Sequence, residues 1–172
     1  PVHPGSGGKR AVVGPESCPS PEIGEYMREQ RRPGPRIMEQ FIGKPYAVNG
    51  RGGDGYDCIG LVRAYLLELG CAFPDGYKGI TLDNYTDFYL ADRAAANDLL
   101  LEFFDLLGEP VVSDHPLAGD LCVVRHEDGN LYPGIYAGNR NMMVVASDEL
   151  GVCILPLGKR EIVKIRRPEL WQ

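Results

Sequence analysis

The residues with the clearest chemical potential lie in GGDGYDCIGLVRAYLLELG, residues 52–70. Cys58 follows a glycine-rich loop and opens an apolar helical pattern. A cysteine in the first turn of a helix sits at the positive end of the helix dipole, beside unpaired backbone N–H groups. Both features favour thiolate over thiol. The glycines at 50, 52, 53 and 55 let the preceding backbone approach a bound molecule closely. This arrangement suits nucleophilic catalysis. It also suits a small apolar side chain buried at a helix start, and the residue types alone leave both readings open. A nucleophile needs a base, and the chain offers three histidines as candidates: His3, His115 and His126.

Several elements must position this cysteine. Asp57 is a good N-cap and Gly70 a good C-terminal stop, which predicts a helix between them. Ile59, Leu61, Val62, Tyr65, Leu66 and Leu69 give that helix a broad apolar surface, as in a mostly buried helix. Before it, PRIMEQFIG reads as a helical segment stopped by Gly43. After it, TLDNYTDFYLADRAAANDLLLEFFDLLGEP reads as one or two helices. There the stripe Leu99, Leu100, Phe103, Phe104 and Leu107 is expected to pack into the core rather than to line a groove. Beyond Pro110 the pattern changes to alternating segments near 121–126, 131–137, 141–146, 151–155 and 161–166. The turns between them are EDGN, GNRN, SDELG and PLGKR. Helices followed by an antiparallel β-meander of about five strands make an α+β fold.

Residues 1–35 read as a Pro/Gly-rich extended arm, with SPEIGEYMREQ as a short helix opened by Ser20 and Pro21; the apolar patch RAVVG at 10–14 suits an arm that docks onto a partner and equally a plain flexible tail. Residues 36–172 form the folded domain. With a net charge of −6, the chain has no basic footprint for nucleic acid. No run approaches the roughly 20 apolar residues of a membrane span. The first residues hold no apolar core of signal-peptide length. The five cysteines are odd in number and contain no CxxC pair, against a disulfide framework or a tetrathiolate zinc site. Cys71, Cys122 and Cys153 read as buried core residues, and free thiols point to folding in a reducing compartment. No metal or cofactor constellation is present.

FIGKPYAVNGRGGDGYDCIGLVRAYLLELG resembles the NlpC/P60 family of papain-like cysteine peptidases. The matching residues are Gly43, Pro45, Tyr46, Gly50, Asp57, Cys58, Gly60 and Leu61, with Ile59 where the family usually has Ser. PLAGDLCVV and GIYAGN resemble two of the family's strands, and the order holds over residues 36 to 166. The resemblance implies a papain-like fold, with the cysteine helix packed on the sheet that carries the base. It implies hydrolysis of amide bonds in bacterial cell-wall peptides, often at γ-D-glutamyl linkages, with no cofactor. It also implies a setting, since such domains are common in bacteriophage tail-tip proteins.

The resemblance breaks where the base belongs. Tyr132, in LYPGIY, stands at the family's histidine position, and Val145, in MMVVAS, at that of the third polar residue. A phenol with an ordinary pKa of about 10 is a poor base near neutral pH. His126 is the candidate replacement. A three-residue loop at 128–130 would place it opposite Tyr132 on the same face, and a two-residue loop would turn it to the other face. His115 reads as a solvated loop residue, and His3 lies in the arm. Tyr46 matches a family tyrosine whose hydroxyl can help hold the oxyanion, and it suits a packing residue equally well.

Two functions follow from these residues. In the first, a degenerate active site belongs to a structural component of a phage tail tip or similar assembly. That component would be made in the bacterial cytoplasm and bound to other tail proteins through the 1–35 arm. In the second, an active peptidase or amidase cuts peptidoglycan stem peptides: Cys58 attacks the amide carbon, Tyr46 and the Cys58 N–H hold the oxyanion, and His126 or Tyr132 moves protons.

Overall fold

The computed structural model describes residues 34–112, 115–147 and 149–169. Most of the 1–35 arm, its expected short helix, Cys18 and His3 lie outside the described residues.

The cysteine helix forms where its caps predict. Helix α2 spans Cys58–Glu68, and the Asp57 side chain accepts from the Gly60 N–H at 2.7 Å. At the other end Gly70 adopts a φ of +77°, and the Cys71 N–H reaches back to the Leu66 carbonyl at 2.9 Å. This is the left-handed glycine stop expected of such a helix. Helix α1, Gly34–Glu39, precedes it, and Met38 and Phe41 are buried against it.

Between Gly50 and Tyr56 the chain makes a two-stranded ribbon, β1 (Arg51–Gly52) with β2 (Gly55–Tyr56). A second ribbon, β3 (Gly76–Tyr77) with β4 (Ile80–Thr81), leads into two helices, α3 (Tyr85–Ala91) and α4 (Arg93–Phe104). Asp92 separates them by accepting from the Ala95 N–H at 3.0 Å, an N-cap that restarts the helix.

Among the described residues the main sheet has six antiparallel strands in the order β5-β10-β6-β7-β8-β9. They are β5 (Glu109–Pro110), β6 (Leu121–Arg125), β7 (Leu131–Gly138), β8 (Asn141–Val145), β9 (Val152–Pro156) and β10 (Glu161–Arg167). Two points differ from the expected five-strand meander. β5 is an added edge strand of two residues, too short for alternation to reveal. And β10 does not follow β9 but returns across the sheet to pair with β6. Arg167 at the end of β10 explains the return, since its guanidinium makes two bonds, at 3.0 and 2.8 Å, to the fully buried Asp120 just ahead of β6. A buried carboxylate needs such a partner.

β6 is buried on both faces. Leu121 and Val123 join Leu61, Val62, Tyr65 and Leu66 of α2 in the main core, while Cys122 and Val124 pack with Tyr136, Met142 and Leu157 on the far side. Cys71 and Cys122 are buried as expected, and Cys153 is half-buried, on the edge strand.

Helix α2 meets the 50-loop without a side chain between them. A Cβ on Gly60 would lie 1.8 Å from the Gly50 carbonyl oxygen. Backbone cannot yield as a flexible side chain can. Gly60→Ala is therefore expected to lower the unfolding free energy by about 3 kcal/mol or more, read from urea unfolding followed by circular dichroism. Leu67→Ala, on the exposed face of the same helix, is expected to change it by about 0.5 kcal/mol or less.

Candidate active site

Asp57 organises the start of α2. One carboxylate oxygen caps the helix, as above. The other accepts from Arg51 Nη1 at 3.0 Å and from the Tyr85 hydroxyl. Arg51 also donates to the Gly50 and Leu82 carbonyls, and its guanidinium lies 5.2 Å from the centre of the Tyr85 ring. Asp57 is thus a buried anion with a cation and two neutral donors. Its environment ties β1, α2 and α3 together. Sequence reasoning missed both partners. Arg51 carries a faint local signal, six residues upstream in the glycine loop. Tyr85 carries none, because only the tertiary fold brings it near.

Cys58 is half-buried and faces a cavity of about 360 Å³. Its thiol is pushed up to about 12, first by burial and second by the Asp57 carboxylate, while its own backbone N–H pulls the other way. The tilt toward thiolate expected from the helix start is therefore not the net result. Desolvation and a like charge outweigh the positive helix end. Burial also raises Tyr85, whose proton is held in addition by Asp57.

The candidate partners of Cys58 divide into two groups. Tyr46 and Tyr132 line the same cavity as the cysteine. Tyr46 is half-buried against the core and forms a backbone bridge with Tyr56. Tyr132, in β7 opposite Val124, is raised by burial, then by Asp128, Tyr89 and Cys58.

His126 does not line the cavity. The hairpin loop comprises residues 127–129, so His126 faces Asn130 and exchanges backbone bonds at the loop, including His126 N–H to the Asn130 carbonyl at 2.9 Å. It shares a face with Tyr132, as one of the two expected loops would give, but sits two pairs along the ladder from it. The rings meet edge to face at 5.6 Å. Asp128 sets this register: its carboxylate accepts from the Asn130 backbone N–H at 2.9 Å and side-chain amide at 2.8 Å, pulling Asn130 into the ladder. His126 Nδ1 stands 3.4 Å from Asp128 without a hydrogen bond.

Val145 is buried in the core facing α2. His115 is exposed in the loop before β6 and away from the cavity. Among the described residues no histidine lines the cavity, and no group of three or more His, Cys, Asp or Glu is placed to hold a metal ion. Nor is any helix of the described residues long and apolar enough to cross a membrane.

The apolar stripe that begins in α4 has two roles. Phe104 and Leu107 are buried in the core as expected, Leu100 and Phe103 pack against that core, and Leu99, Leu100 and Phe103 also line the cavity. Core and cavity require the same helical spacing, so the pattern could not separate them.

The raised thiol predicts a pH dependence. Between pH 7 and 10 the rate of Cys58 alkylation by iodoacetamide is expected to climb about tenfold per pH unit without a plateau, because thiolate stays scarce below the pKa. The measurement is mass spectrometry of the Cys58 peptide. Asp57→Asn keeps a capping side chain but removes the charge, and is expected to raise the rate at pH 8 by roughly three- to tenfold. A plateau below pH 9 would show an activated thiol instead.

The NlpC/P60 family model matches residues 43–157. Among solved structures, the chain is similar to NlpC1 from Trichomonas vaginalis, with 18% identity and a TM-score of 0.57, covering 82% of this chain and 44% of that one. It is similar to an NlpC/P60 family protein from Bacillus cereus, with 24% identity and a TM-score of 0.50, covering 76% and 37%. It is also similar to the P60 domain of antigen MAP1204 from M. avium subspecies paratuberculosis, with 20% identity and a TM-score of 0.52, covering 86% and 99%. The chain thus spans less than half of the first two proteins, and at these identities the likeness is one of fold. No curated protein matches in sequence. With the family model covering the glycine loop, the cysteine helix and strands β6 to β9, the chain belongs to the NlpC/P60 family.

Proposed function

We propose that this NlpC/P60 domain has a degenerate active site and serves as a structural, non-hydrolytic component of a phage tail tip or similar assembly. One observation carries the first part: Cys58 faces a cavity that no imidazole lines among the described residues. Hydrolysis through a thiol needs a base within hydrogen-bond reach of the sulfur. Tyr132, at the family's histidine position, lines the same cavity, and burial raises it above the ordinary phenol value. It therefore holds its own proton at neutral pH. With a thiol pushed up to about 12, roughly one molecule in 10⁵ carries a thiolate at pH 7. Loss of a positioned base from such a unit typically costs several orders of magnitude in rate.

The setting rests on the family and on the composition of the arm. Residues 1–35, rich in proline and glycine, would dock onto neighbouring tail proteins after synthesis in a bacterial cytoplasm. The packing of His126 on Tyr132 favours a second reading, an active peptidase or amidase for peptidoglycan stem peptides in which His126 acts on Cys58 through the phenol.

Incubation with purified peptidoglycan separates the two. The protein and its Cys58→Ala variant are expected to release equal, background amounts of new amine termini. Release that depends on Cys58 would sink the silent reading. In an assembled particle, residues 1–35 are expected to be ordered against neighbouring chains. An arm without fixed contacts there would remove the assembly part of the proposal.

A further inference from the structure

The cavity beside Cys58 has a chemistry of its own. None of the described residues lining it is Lys or Arg. Its one buried carboxylate, Asp57, is already engaged by Gly60, Arg51 and Tyr85. Carboxylates of a cell-wall peptide would find no cation there, and a buried unpaired charge is costly. The walls are mostly apolar, with polar groups such as Asn49, Thr81 and Asn97 among them, so a peptide backbone would leave some of its N–H and C=O groups without partners.

The helix that covers the cavity is unusual in its packing. Helix α3 carries Tyr85, Phe88, Tyr89 and Leu90, yet none of its residues is buried. These side chains border the cavity instead of entering the core. Val48 and Leu90, at 64% and 67% exposed, lie at its rim and form an apolar entrance. Exposed apolar residues around a hollow mark a binding site more often than a free surface.

Shape narrows the ligand further. Along α4 the lining runs through Ala96, Leu99, Leu100 and Phe103. Seven residues of helix rise on the order of 10 Å, so this wall is long enough to lie along an extended chain. A cavity of about 150 Å³ suits a single benzene ring, and this one, about 360 Å³, is more than twice that size. A lone side chain from a partner protein would leave it part-empty, and unfilled space forfeits dispersion contacts. A water takes about 30 Å³ in the liquid, so on the order of ten to twelve groups of that size fill it.

We propose that this cavity binds a neutral, lipid-like molecule through a hydrocarbon chain of about ten to twelve carbons, with its polar end at the Cys58 and Tyr46 side. The inference rests on the non-hydrolytic reading of Cys58 and names the ligand class of the same site.

The test is isothermal titration of the full chain with straight-chain primary alcohols of six to fourteen carbons. Affinity is expected to rise about fourfold per added methylene, then level off at ten to twelve carbons. Leu100→Trp fills the hollow and is expected to weaken 1-decanol binding at least tenfold. Ala96→Leu, a smaller filling, is expected to move the optimum to shorter chains and serves if the tryptophan variant does not fold. No saturable binding, affinity independent of chain length, or affinity unchanged in the folded variants would overturn the proposal. So would binding of acetyl-Leu-Phe-amide in place of the alcohols, which would assign the cavity to a protein partner. Peptidoglycan release is read separately. Alcohol binding together with Cys58-dependent release overturns the silent reading and leaves the ligand class standing. An inert peptidoglycan assay without alcohol binding overturns the ligand class alone.

Discussion

The backbone contact between Gly60 and Gly50 is the constraint on which the site depends. The approach is so close that a single carbon at Gly60 would collide with the Gly50 carbonyl. This contact seats the first turn of α2 on the glycine loop. Only in that seat can Asp57 cap its helix and still turn its second oxygen toward Arg51. Arg51 sits in the β1–β2 ribbon, which the same loop closes. Cys58 inherits its position from this arrangement, and so does the field that acts on its sulfur. The glycine loop is therefore a matter of packing as much as of access for a ligand.

A second node holds the other end of α2 to the sheet. The Tyr65 hydroxyl donates to the Gly119 carbonyl at 3.0 Å, and the next residue, Asp120, is clamped by Arg167 and by the Leu117 N–H at 2.9 Å. These polar bonds sit beside the most deeply buried residues of the main core, Leu61, Val62, Leu121 and Ile135. Apolar burial supplies most of the free energy. Directional bonds decide which packing is adopted, because a buried donor or acceptor left unmade costs more than a made one contributes.

Much of this was legible in the chain. Asp57 and Gly70 bracket α2 because capping chemistry is local. Strands β6 to β10 show through alternation and turn residues, and the GDL and GIY segments carry the family pattern. What escaped reading has physical reasons. β5 and the two ribbons hold two residues per strand, below any detectable period. The place of β10 depends on a long-range ion pair between Arg167 and Asp120. The register beside His126 turns on one carboxylate, Asp128, that could equally have faced water. The acidity of Cys58 is set by burial, a three-dimensional quantity, against a helix effect that the sequence does display. That Leu99, Leu100 and Phe103 also line a hollow escaped the periodicity, because a hollow and a core ask for the same residues at the same spacing.

The tie from Asp57 to Tyr85 gives α3 a connection to the sulfur that its own sequence does not hint at. Movement of α3 away from the cavity would admit water to Cys58 and remove the chief cause of its high pKa. Such coupling is reciprocal by thermodynamic necessity. Whatever factor opening adds to proton release, proton release adds to opening. In such a coupling the proton on Cys58 would act as a ligand of the packed arrangement of α3, and an apolar molecule that fills the cavity would bind together with it.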